Sequence, residues 1–237
     1  MSLLAAAAAL ALAGHSDPCP VALTSQRLPP PADRAGPAPA AAAPDGGDYR
    51  HRLQATPFGW PHRPHWCVWV EPAAAEGPSS RWEQAWRQAV DSALAHWAEL
   101  LPITRVQDPE RAQVLVFRRR PPLRGGRASH GRAELDLVLV RRQQPSATDG
   151  RGLEQLEPRV SVSVSPGQRA EAIEATALHE LGHAFGLWGH SDDPADAMAA
   201  VPGAKPIRRL SGRDRATLQW LQRQPGLSPA APSPGLH

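Results

Sequence analysis

The stretch His179-Glu180-Leu181-Gly182-His183-Ala184-Phe185-Gly186-Leu187-Trp188-Gly189-His190-Ser191 decides how the rest of this 237-residue chain is read. His179 and His183 stand four residues apart among Ala, Leu, Ile and Glu, which favour or tolerate helix. One helical turn separates them, so both imidazoles leave one face. Two neutral imidazoles at that spacing can hold one zinc ion. Glu180 is displaced around the helix, where a carboxylate can reach a zinc-bound water without ligating the ion. Gly186 falls where the helix must end, because glycine adopts the left-handed conformation that turns the chain back. Beyond that turn His190 is placed to complete the ligand set from a loop. Three protein ligands leave one coordination position for water.

These residue types answer the needs of one reaction. Amide hydrolysis near neutral pH requires a strong nucleophile and a stabiliser for the tetrahedral oxyanion. Zinc supplies both, lowering the pKa of its water to about 7 and polarising the carbonyl. The carboxylate of Glu180 takes the proton as general base and later delivers it to the leaving amine. The sequence therefore predicts one catalytic Zn2+ and a zinc-dependent metalloendopeptidase that hydrolyses peptide bonds. The alternative is a zinc-binding but catalytically inactive peptide- or protein-binding domain. Glu180 separates the two, because binding alone needs no general base. A third reading is a structural α+β domain in which the motif arose by chance.

His179 to Ser191 resembles the metzincin zinc proteases, and most closely the matrixin branch. That group shows His-Glu-x-x-His-x-x-Gly-x-x-His followed by a methionine turn. Asp196-Ala197-Met198, with Met198 fifteen residues after His183, fits the turn. The resemblance implies that Met198 forms a hydrophobic floor beneath the metal. It also offers Asp17-Pro18-Cys19-Pro20 as a loose match to a latency segment whose cysteine ligates zinc, against an inert cysteine. One departure is plain: three residues separate Gly186 from His190 where the family has two. The family's ligand position is held by Gly189, which has no side chain to bind zinc. A loop can absorb one extra residue, whereas on a helix it would turn the ligand by about 100°. Asp192, Asp193 and Asp196 are the alternatives to His190.

Other zinc-protease plans are excluded by what is missing. No glutamate follows Glu180, so a downstream glutamate ligand is ruled out. The only tyrosine is Tyr49, far upstream, so the tyrosine ligand of some metzincin branches has no counterpart. His130 is the only histidine between His96 and His179, and no second, structural zinc is expected.

Composition sets the boundaries. Leu3 to Ala13 is an 11-residue apolar run, short of the roughly 20 residues that span a bilayer. Ala11-Leu12-Ala13 reads as a cleavage site. Residues 1–13 are read as a signal peptide although no Lys or Arg precedes the run. The protein is accordingly expected to be exported, periplasmic or extracellular; the alternative is an Ala-rich start to a cytoplasmic protein. No later segment is long enough for a transmembrane helix, so stable membrane insertion is not expected. Residues 14–57, rich in Ala, Pro, Gly and Asp, are expected to be disordered or a pro-segment. The catalytic domain is placed at 58–224 and a disordered tail at 225–237. Cys19 and Cys67 form no Cys-x-x-Cys pair, which leaves one disulfide or two free thiols. The net charge is +3, carried mostly by scattered arginines, which argues against a nucleic-acid partner. The expected partner is a peptide or protein substrate, and the expected state a monomer.

Periodicity supplies the elements. His65 to Glu71 reads as a strand. Ser80 and Glu83 read as a capping box, opening a helix with Trp82, Trp86, Ala89, Val90, Ala93, Leu94, Trp97 and Leu101 at helical spacing and a stop at Pro102. Val114–Arg118, Leu135–Val140 and Val160–Ser165 read as strands, with a polar loop between Arg141 and Pro158. The zinc helix runs from about Arg169 to Leu187. A short helix starts at Ser211 and Asp214 and ends before Pro225-Gly226. This order predicts one α+β domain: a mixed, mostly contiguous sheet with a long packing helix, the zinc helix and a C-terminal helix. The resemblance makes it a metzincin-like zincin over Trp60 to Leu221. It further implies that Leu135–Val140 or Val160–Ser165 rims the cleft, and that Ala199, Ala200, Val201, Pro202 and Ile207 wall the pocket for the residue after the scissile bond.

Overall fold

Valines at every second position of 160–164, leucines at every second position of 135–139, and near-continuous apolar runs at 66–70 and 114–117 fix the sheet. The computed structural model describes residues 17–29, 46–123, 129–142, 153–201, 203 and 205–228. Its six strands are β1 (Thr24–Arg27), β2 (Trp66–Val70), β3 (Ile103–Arg105), β4 (Val114–Phe117), β5 (Gly131–Arg142) and β6 (Leu153–Val164). They form one mixed sheet in the order β1-β5-β6-β4-β2-β3. β2, β3, β4 and β6 run parallel, while β5 lies antiparallel to β6 and to β1.

Trp66, Val68, Val70, Val114, Val116, Val160, Val162 and Val164 are buried in the main core, with α1 (Ser80–Ala98) and α2 (Ala170–Ala184) packed on it. Cys67 and Leu115, the alternate residues, join Cys19, Val106 and Ala112 in a smaller cluster. β2 and β4 are thus buried on both faces, as parallel strands at a sheet centre are. α1 buries Trp86, Ala89, Val90, Ala93, Leu94 and Trp97. Its two buried indoles are satisfied: Trp86 Nε1 donates to Val164 O (3.2 Å) and Trp97 Nε1 to Leu178 O (3.0 Å). These bonds tie α1 to the last residue of β6 and to the middle of α2. α3 (Gly212–Gln222) closes the same core through Leu218 and Leu221.

Several sequence expectations are corrected. The Ser80–Glu83 capping box does not form: Ser79 precedes the helix and its Oγ donates to Glu83 Oε1 (2.9 Å). α1 ends at Ala98, ahead of Pro102. Trp82 is 73% exposed and belongs to no core, because it lies on the outer side of the first turn. The polar run before Pro158 is not all loop. β6 begins at Leu153 and pairs with β5 along its length, from Arg142↔Leu153 to Gly131↔Val164; residues 143–152 lie outside the described residues.

The largest correction concerns residues 17–29 and 46–57; the rest of 14–57 lies outside the described residues. Cys19 and Cys67 form a disulfide rather than two free thiols. Thr24–Arg27 adds a strand to the sheet. Tyr49 and Leu53 are fully buried in the main core, and Gln54 N donates to Trp188 O (2.8 Å). Average composition concealed this, since a few apolar anchors flank a Pro/Ala-rich middle. The expected leader, 1–13, lies outside the described residues, as does 229–237 of the expected tail. The first tail residues are held, with Ser228 N donating to Phe58 O (2.9 Å). Among the described residues no helix is long and apolar enough to cross a membrane.

Leu53→Ala tests whether the N-terminal region belongs to the folded unit. Urea unfolding should show a loss of about 2–5 kcal/mol, as for a fully buried leucine. A change below about 0.5 kcal/mol is what an unstructured segment would give.

Candidate metal centre

α2 carries His179, Glu180 and His183. The helix ends in a Schellman arrangement: Gly186 N donates to His183 O (3.0 Å) and Leu187 N to Gly182 O (2.9 Å). Gly186 has φ 109°, a conformation that side-chain-bearing residues rarely adopt. The reversed chain then passes Trp188 and Gly189 and brings back His190. One ring nitrogen from each of His179, His183 and His190 lies within 4.8 Å of the others. The extra loop residue is absorbed outside the site. Gly189 packs against Arg52 O, where a Cβ would not fit, and His190 falls beside the two helical histidines. Trp188 stacks on His183, with centroids 5.5 Å apart and planes 21° apart.

The tautomers follow from the partners. His179 Nδ1 lies 2.8 Å from Ala197 O and His183 Nδ1 2.7 Å from Leu187 O. A carbonyl only accepts, so each Nδ1 carries the proton and each Nε2 keeps its lone pair for a metal ion. Burial holds both rings neutral; it pushes His183 down to about 3 and lowers His179 and His190 as well. Neutral imidazoles are the form that binds metal, so this three-histidine group can hold a metal ion. Asp192, Asp193 and Asp196 engage Arg213 instead, at 2.8, 3.6 and 3.2 Å. Asp196 also accepts from Ser191 Oγ. A second group, Cys19, His65 and Cys67, also comes together, but its sulfurs are joined in the disulfide. Cys19 is thereby held far from the role of a latency ligand.

Met198 is fully buried, and its Sδ lies against Gly182, the α2 residue between the two histidines. A Cβ on Gly182 would collide with that sulfur and stand 3.0 Å from Trp97 Cζ2. Sequence reasoning missed Gly182; the only signal was a small residue between two ligands. It also missed Asp214. This buried carboxylate accepts from Tyr49 Oη (2.8 Å), Ala197 N (2.9 Å), Met198 N (3.4 Å) and Ser211 N (2.9 Å). From sequence Asp214 reads only as part of a helix cap, which it is. Its second task is to hold the methionine turn, and hence Ala197 O, against His179.

Glu180 is buried next to the histidines. Burial raises its carboxyl to about 7, while a hydrogen bond from the Ala133 backbone and the charge of Arg132 pull the other way. Gly131 brings β5 close enough that a Cβ there would lie 2.6 Å from Glu180 Oε1. Beside His179 and Glu180 opens a cavity of about 440 Å³ whose walls include Ala175, Thr176, Ala197, Ala199, Ala200 and Ile207. Of the expected wall residues, Ala199, Ala200 and Ile207 take part. Val201 is 75% exposed, and Pro202 lies outside the described residues. β5, not the internal β6, borders this cavity.

No protein-family model matches the chain, and a search of curated proteins finds no match.

The raised Glu180 carboxyl has a consequence for stability in chelator. The unfolded glutamate titrates near 4.5 and the folded one near 7. Between these values the folded chain keeps a proton that the unfolded chain has lost, so stability falls as pH rises through the window. Glu180→Gln cannot ionise and should escape that fall. Urea titrations in EDTA should show the variant gaining on wild type by on the order of 3 kcal/mol between pH 4.5 and 7.5. Parallel pH profiles would contradict the buried, protonated carboxyl.

Proposed function

We propose that the chain is a zinc-dependent metalloendopeptidase, a matrixin-like metzincin in which His179, His183 and His190 hold one catalytic Zn2+ and Glu180 is the general base. The observation that carries this reading is the convergence of three neutral imidazoles beside a buried carboxyl group, with His179 and Glu180 lining one cavity. Three nitrogen ligands, with backbone carbonyls fixing two of the rings, suit the tetrahedral preference of zinc and leave one position open. Zinc bound there supplies a Lewis acid for the substrate carbonyl and an acidified water.

The remaining work falls to the chain's own residues. Glu180 takes a proton from the attacking water as the new C–O bond forms, then gives it to the amine nitrogen as the C–N bond breaks. A cation held by the neighbouring histidines favours the ionised carboxylate that this role needs. Ala133 N–H orients that carboxylate. The outer edge of β5 offers backbone groups on which an extended peptide can add as a further strand. The apolar cavity walled by Ala199 and Ile207 suits an apolar side chain just beyond the scissile bond. The Cys19–Cys67 disulfide supports export, since such bonds persist in oxidising compartments.

Cleavage of a casein-type substrate by wild type and Glu180→Ala, with and without chelator, tests this reading. Wild-type activity should vanish in chelator. The variant should lose about 10²–10⁴-fold in kcat while binding as much zinc as wild type. Undiminished cleavage by the variant would refute the assignment.

A further inference from the structure

Among the described residues the outer edge of β5 is only partly covered. β1 pairs with it from Arg27↔Val138 to Thr24↔Arg141. Leu28 N donates to Leu137 O (2.8 Å), and Arg27 pairs with Asp136 (2.8 Å) at the boundary. The sequence then runs Pro29-Pro30-Pro31, residues with no N–H to extend a ladder. Among the described residues no other strand lies on that edge. The uncovered end is the end at the candidate metal centre, where Ala133 donates to Glu180 and Gly131 borders the cavity.

Direction matters here. β1 is antiparallel to β5, so its chain runs toward the centre, and its described pairing ends where Leu28 meets Leu137. A peptide that adds to the open edge in the same antiparallel sense lies in line with β1. Its N-terminal side then points at Leu28. From Ala133, which makes the Glu180 contact, to Leu137 is four steps along β5, a span of roughly 14 Å at strand spacing.

We infer that β1 is a built-in stop that ends the substrate cleft about four residues N-terminal to the scissile bond. The inference rests on the proposed peptidase reading and adds substrate geometry to it. Substrates with short or sharply bent N-terminal flanks are accommodated; a flank extended well beyond the stop collides with Leu28. β1 holds this position despite being exposed throughout, because the strap leading into it is pinned. Cys19 is bonded to Cys67, and Arg111 Nε donates to Cys19 O (2.7 Å). The alternation of an antiparallel ladder puts Gln26 in phase with Leu28, so Gln26→Pro removes a rung without touching the core.

The test uses quenched-fluorescent peptides with one fixed C-terminal half and extended N-terminal flanks of two to about eight residues. For wild type, kcat/KM should rise with flank length up to about four residues and then level off or fall. In Gln26→Pro the longest peptide should gain about tenfold over the four-residue one, the effect of one or two restored backbone hydrogen bonds. Should that variant misfold, Cys19→Ser/Cys67→Ser, which frees the strap at its anchor, replaces it. Wild-type rates that keep rising beyond four residues, or a length limit that neither variant shifts, overturn the inference. So does a limit found only on the C-terminal side. The same peptides are titrated by fluorescence anisotropy onto zinc-loaded Glu180→Ala protein. If wild type cleaves nothing, the peptidase reading fails while anisotropy still reports the stop. A flat affinity series or no binding sinks the stop itself.

Discussion

A carboxylate sealed from solvent needs a donor for each lone pair it keeps, and Asp214 meets that demand by drawing three distant parts of the chain together. Tyr49 Oη comes from the N-terminal region, Ala197 N and Met198 N from the methionine turn, and Ser211 N from the start of α3. Breaking such a set leaves a buried charge without partners, which costs far more than any one bond contributes. The Ala197–Met198 side of the centre descends from this constraint. The turn held by Asp214 presents Ala197 O to His179 and presses Met198 against Gly182. The packing beneath the three-histidine group and the tautomer of its first histidine are set by one aspartate that is not a member of that group.

The third histidine depends on a different kind of order. His190 sits on a loop, and a loop has no helical register to fix its side chain. Here the loop is fixed at both ends, by the Schellman turn at Gly186 and by the packing of Trp188 and Gly189 against residues 52–54. The N-terminal region, which also supplies Tyr49, therefore supports the site twice. That is why a loop, with no helical register, brings His190 beside His179 and His183.

Much of this was legible in the sequence where local rules govern. Helical spacing placed His179, Glu180 and His183 on α2. Strict Val/Ser alternation marked β6, and the Ser211/Asp214 pair marked the start of α3. The misses share a physical origin: they are long-range. Tyr49 and Leu53 are buried by elements that lie more than a hundred residues away in sequence. The β1 strand exists because β5 offers an edge and the disulfide holds the strap, neither of which four exposed residues announce. Gly182 and Asp214 looked like an ordinary helix glycine and an ordinary cap until Met198 was set between them.

The proposed centre is defined by which metal it binds and through which side chains. Zinc-edge X-ray absorption on protein loaded with one equivalent of zinc measures this most directly. It should find three imidazole nitrogens and one oxygen at about 2.0–2.1 Å, with one imidazole fewer in His190→Ala. Sulfur in the coordination shell, or an unchanged imidazole count in that variant, would contradict the three-histidine site.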